Sequence, residues 1–230
     1  MTPTALSSAR LAKGWSQMVA AKRLGVSQPY LAMLERGQRR LTLELTLRAV
    51  RAYGAAPTAV PPSRPRRRFR PTAATLATDL AGLGYPGFAY LRSRHWKPKN
   101  PGDVLLSILA QADLEPRAVE ALPWLVLRYS TLDWTWVVQE AKLRDLQNRL
   151  GFVVSLARRA AERVSDEPKT SAFRALEREI EHSRLAREDT LCRASMPEAE
   201  RRWLMERRSE EARHWNLVTD WTVNALRHVA

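Results

Sequence analysis

The side chains of this chain that could act chemically on a partner are mostly cationic, and they gather at one end. Residues 1–70 hold 14 Lys and Arg against two acids, Glu35 and Glu44, a net +12; residues 71–230 hold 24 against 22, a net +2. An excess confined to one third of a chain is the footprint of a polyanion-binding module joined to a nearly neutral domain. Groupings that could do catalysis are sparse. His95, His182, His214 and His228 are scattered, and the single Cys192 can form neither an internal disulfide nor a zinc site alone. No HExxH, CxxC, GxGxxG, phosphate-binding-loop or GxSxG pattern occurs. Asp133, Glu140 and Asp145 read as solvent or structural acids rather than a paired acid–base site. The expectation is a non-enzymatic protein with no cofactor and no metal.

The elements that position the cationic end are short helices with tight turns. Ser16 is placed to cap a helix beginning at Gln17, with Val19, Ala20 and Leu24 on its inward face, and Gly25 ends it. Val26 is placed to plug the angle before Ser27, which caps a second helix carrying Tyr30, Leu31 and Leu34 and closed by Gly37. Two short helices joined by a three- to four-residue turn containing Gly make a helix-turn-helix. The next stretch, Leu41–Leu47, alternates apolar and polar residues, which alone reads as a strand. A helix is preferred, because Leu43, Leu47 and Val50 also share a helical face, Thr42 is a cap and Gly54 a terminator.

The spacing Ser16-Gln17, Ala20, Leu24-Gly25-Val26-Ser27-Gln28, Leu31, Leu34-Glu35-Arg36-Gly37 resembles the phage-repressor and Cro-like helix-turn-helix family, the XRE family, over roughly residues 6–54. The preference for a helix after Leu41 rests partly on this resemblance. The resemblance implies a fold of five short helices that binds double-stranded DNA, usually as a homodimer. It implies that Gln17 bonds a phosphate and that Ser27, Gln28, Pro29 and Tyr30 open the recognition helix, whose N-terminal end enters the major groove. Gln28 is then the candidate for bidentate contact with adenine. Pro29 departs from members that read bases with a polar residue there. Met33, one turn further along the outward face, could touch only a thymine methyl, and Tyr30 could add a phosphate or base-edge contact. Arg36, Arg39 and Arg40 fall where phosphate contacts are expected, positioning the protein without reading sequence. Arg10 and Glu35 match positions that form a structural ion pair in some members.

Residues 55–72, with five prolines and five arginines, read as a basic linker. Its Arg66, Arg67 and Arg68 could lie along a minor groove as an extended arm. Residues 73–230 return to three-and-four apolar spacing with sparse Gly, so the whole chain reads as all-α, ending in a helical bundle or irregular helical array. Helices are expected at Ala73–Gly84, Gly102–Ala112, Pro116–Tyr129, about 134–164 (one or two), Thr170–Glu188, and from Ser195 to about His228. Ser195 with Glu198 forms a capping box for the last of these. Seven of the eight tryptophans lie in this part, as core or as partner surface.

The longest apolar run, Ala121–Leu127, is seven residues long and interrupted by Pro123, far short of the about 20 needed to cross a bilayer. No secretory signal is visible, so no membrane association and a cytoplasmic location are expected. The composite reading has three parts: residues 1–54 a helix-turn-helix domain, 55–72 the linker, and 73–230 a domain for dimerisation or partner binding. Its function is a sequence-specific transcriptional regulator, an autoregulating repressor reading a palindromic operator. The alternative is an antitoxin whose helical domain neutralises a toxin protein while the N-terminal domain represses the operon.

Overall fold

The computed structural model describes residues 1–63 and 71–228. The chain is mostly helical. It forms two compact units, one of Met1–Pro65 with His95–Asn100, the other of Arg66–Arg94 with Pro101–Ala230.

In the first unit the local signals act as their chemistry dictates. Helices α1 (Pro3–Ala12), α2 (Gln17–Leu24), α3 (Gln28–Glu35) and α4 (Leu43–Tyr53) are capped by the side chains of Thr2, Ser16, Ser27 and Thr42. Each accepts a backbone N–H three residues on, which satisfies one of the donors a helix start leaves open. Gly25 and Gly54 end α2 and α4 in the left-handed region, at φ 69° and 66°. Residues 43–53 are therefore helix and not strand. A 3-10 turn, Pro57–Ala59, follows α4 within the stretch read as linker.

The core of this unit is Leu6, Ala20, Ala21, Leu24, Leu31, Leu34, Leu45, Ala49 and Tyr53. Two residues assigned to inward faces lie outside it. Val19 is 41 % exposed and Leu43 57 % exposed. Both sit in the first turn of a short helix, where the buried stripe is set by what packs on the middle of the helix: Ala20, Ala21 and Leu24 in α2, and Leu45, Ala49, Val50 and Tyr53 in α4. The start of the expected linker also belongs to this unit. Val60 is buried, and its carbonyl accepts from the buried Asn100 Nδ2 at 2.7 Å. The linker arginines Arg66, Arg67 and Arg68 lie outside the described residues.

The second unit is built around α9 (Gln147–Arg163), whose residues 147–157 are all buried. Around it stand α5 (Ala73–Leu83), α6 (Pro101–Leu109), α7 (Pro116–Arg128), α8 (Trp134–Lys142) and α10 (Glu167–Glu181), with α7, α8 and α10 packed directly on it. Residues 134–164 form two helices, broken near Asp145 at φ 56°.

The C-terminal helix expected from Ser195 to His228 does not form as one element. It divides into α11 (Glu198–Arg207), α12 (Glu210–His214), a strand Leu217–Val218 and a 3-10 turn Val223–Ala225. Ser195 caps nothing, because its N–H and hydroxyl both bond Asp113 Oδ1, at 2.8 and 2.7 Å. Arg208 leaves the helix at ψ 137°, and Ser209 starts α12 with its own cap to Ala212 N. Leu217–Val218 (β2) pairs in parallel with Asp189–Thr190 (β1), a small sheet with no signal in the apolar spacing.

Candidate nucleic-acid interface

The recognition helix α3 starts from Ser27, whose Oγ accepts the Tyr30 N–H at 3.4 Å. Pro29 occupies the first turn, where its missing N–H costs nothing. Ser27, Gln28 and Pro29 are exposed, while Tyr30 and Met33 are half-buried and Tyr30 packs against the domain core. Arg36, Arg39 and Arg40 are exposed beyond the end of α3. Trp15 is half-buried against this core as well, its ring 5.5 Å from that of Tyr53 and beneath the Arg23 guanidinium.

One chain of hydrogen bonds runs from the interior to the tip of this surface. Arg10 grips Glu35 with two bonds of 2.7 and 3.1 Å, with the two side chains 12 % and 6 % exposed. Gln17 Nε2 donates to the same carboxylate at 2.9 Å, and Gln28 Nε2 donates to Gln17 Oε1 at 3.0 Å. The order follows from donor chemistry. An ionised carboxylate only accepts, so Gln17 must turn its NH2 inward and its carbonyl outward. Gln28 must then offer its own NH2 to Gln17. Burial pushes the Glu35 pKa up, but bonds from Arg10 and Gln17 and the Arg10 charge outweigh it, and the carboxyl ends below its ordinary value. One N–H of Gln28 and its carbonyl oxygen stay available, the donor and acceptor an adenine edge requires.

The arrangement Ser16–α2–Gly25–Ser27–α3 defines a helix-turn-helix, the class of a DNA-binding domain. Residues 4–62, roughly a quarter of the chain, match the family model described as a helix-turn-helix domain. No curated protein and no solved structure matches the chain.

Sequence reasoning paired Arg10 with Glu35 but missed the Gln17–Gln28 link, although both residues were singled out. It also missed Arg149. That side chain is 8 % exposed and holds Asp189 with bonds of 2.7 and 2.9 Å while donating to the carbonyls of Leu109 and Gln111. Forty residues separate the partners, and no local pattern links them. The second unit also has a cleft of about 390 Å³ lined by Arg158, Arg159, Glu177, Glu181, Glu211 and His214. Its carboxylates are internally paired: Glu177 with Arg158 at 2.9 Å, Glu211 with Arg159 at 2.7 Å, and Glu181 with His214 at 2.6 Å. Among the described residues no group of His, Cys, Asp and Glu is arranged to hold a metal ion, and no helix is long and apolar enough to cross a membrane.

Proposed function

We propose that this protein is a sequence-specific transcriptional regulator that inserts the N-terminal end of α3 into the major groove. Gln28 reads adenine, and Ser27, Pro29, Tyr30 and Met33 shape the contact around it. Arg36, Arg39 and Arg40 hold phosphates, Arg66, Arg67 and Arg68 add positive charge for the same backbone, and Gln17, whose NH2 is committed to Glu35, serves by orienting Gln28. The observation that carries the reading is the Arg10–Glu35–Gln17–Gln28 chain, which orients the Gln28 amide before any DNA arrives. Pre-orientation lowers the entropy lost on binding.

A homodimer would present two such helices to half-sites one helical turn apart, about 34–36 Å, on a palindromic operator. Binding next to its own gene would make it an autoregulating repressor. The test is binding of the full chain to its own upstream DNA at fixed salt, beside a random duplex. Gln28→Ala should cost about 1–3 kcal/mol on the operator and leave the random duplex unchanged. Equal affinity for both duplexes, unmoved by Gln28→Ala, would reject sequence reading.

The second reading, an antitoxin, is favoured by α11, which exposes Trp203 at 47 % and Met205 at 37 %. Trp203 is an aromatic side chain left open to solvent, a residue type that suits a protein partner. That reading requires a neighbouring gene whose product is toxic when expressed alone and harmless with this chain. Harmless expression of every neighbour would remove it.

A further inference from the structure

The DNA-binding unit contains a piece of chain from outside the helix-turn-helix region. Residues His95–Asn100 come back to it after an excursion into the second unit. This return strap is held at three points. Arg51 Nη2 on α4 donates to the Trp96 carbonyl at 2.7 Å, Pro98 is buried, and the buried Asn100 Nδ2 donates to the Val60 carbonyl at 2.7 Å. Between the first two points Lys97 is exposed, and Lys99 follows half-buried. The backbone is thus fixed while the Lys97 ammonium faces solvent.

The surroundings suit an anion. Residues 1–63 and 95–100 together hold 11 Lys and Arg against two acids. Both acids are already paired, Glu35 with Arg10 and Glu44 with Arg48. The strap is also placed close to the motif. Arg48 Nη1 donates to the Leu24 carbonyl at 3.0 Å, against the Gly25 turn. Arg51, which holds the strap, lies one turn further along the same face of α4. A basic strip therefore runs from the helix-turn-helix turn through Arg48 and Arg51 to Lys97.

We propose that the strap is a second phosphate-contacting element of the DNA-binding unit, with Lys97 on the duplex backbone. It rests on the DNA-binding reading above and extends the interface beyond residues 4–62. Lys97 contributes charge and no base reading, because a lysine ammonium is a point charge.

The test uses the full chain and a mixed-sequence duplex, with affinity followed against salt concentration. Each phosphate contact contributes about 0.9 to the slope of log K against log salt. Lys97→Ala should lower the slope by about that amount, Lys97→Arg should retain it, and Lys142→Ala, an exposed lysine at the end of α8, should leave it unchanged. A steep slope in the unsubstituted protein that Lys97→Ala does not move overturns the strap proposal alone. An unsubstituted protein with no salt-dependent binding to the duplex overturns the DNA-binding reading and the strap with it.

Discussion

At the scale of single residues, the chemistry of this protein turns on which groups only accept and which only donate. Glu35 accepts from Arg10 and Gln17, and its ionised state dictates the orientation of both glutamines. Because its folded-state pKa lies below the unfolded value of about 4.3, its contribution to stability is full above that pH and is lost as pH falls through the lower folded value. Denaturant titrations of wild type and Glu35→Gln should therefore differ at pH 7 and converge as the pH falls below the unfolded value of about 4.3 and through the lower folded one. A gap that stays constant across that range would show that the charge is not the stabilising feature. A second residue-scale prediction concerns the second unit. Asp189→Asn removes the carboxylate that neutralises the buried Arg149 guanidinium, and losing one member of a buried pair costs about 3–5 kcal/mol. A loss under 1 kcal/mol in urea unfolding would mean that the Leu109 and Gln111 carbonyls suffice for Arg149 alone. The two pairs differ in how they could be found. Arg10 and Glu35 sit at motif positions, whereas Arg149 and Asp189 meet only because a folded loop carries one to the other.

At the scale of elements, starts and stops were readable where they depend on a neighbour a few residues away. Ser16, Ser27 and Thr42 cap, and Gly25 and Gly54 terminate, through contacts within five residues. The C-terminal region was misread because its breaks depend on distant partners: Asp113 captures Ser195, and Asp189–Thr190 pairs with Leu217–Val218. Trp215 illustrates the consequence. The helix expected from Ser195 to about His228 runs through it, yet it ends α12 and turns fully into the core. Its ring lies over Gly151 of α9, and its Nε1 donates to Ser155 Oγ at 2.8 Å. In an open helix interior, Gly→Ala stabilises by roughly 0.5–1 kcal/mol. Here an added Cβ would stand 2.4 Å from Trp215 Cζ3, a contact that the ring must move to relieve. Overpacking of that kind costs about 1–3 kcal/mol, so the sign reverses and Gly151→Ala is destabilising. Combining it with Trp215→Leu should show less than additive loss, since the smaller side chain removes the clash. Strict additivity in thermal or urea unfolding would mean that the two residues do not oppose each other.

At the scale of the whole molecule, the DNA-binding unit is not a contiguous segment. Composition marks the Pro- and Arg-rich stretch after residue 54 as a linker, but Val60 within it is buried and answered by Asn100, forty residues later. Nothing in hydropathy announces such a contact, because a single amide reaching a single carbonyl carries no periodicity. Its energetic weight follows from burial. Removing the Asn100 side chain leaves the Val60 carbonyl without this donor, a cost of about 1–3 kcal/mol. The loss should be felt first where the strap is bonded: at Arg51 on α4 and at Val60, which closes the 3-10 turn Pro57–Ala59. Hydrogen exchange on the full chain separates this from a general loss of stability. In Asn100→Ala, amides of residues 43–60 should exchange roughly 5–150-fold faster, the rate equivalent of that cost, while those in the centre of α9 keep their wild-type rates. Equal acceleration in both places would mean that the two units unfold as one. Unchanged rates in both would mean that the strap is bound too weakly to shape the DNA-binding unit, and Lys97 would then have no fixed platform from which to meet a phosphate.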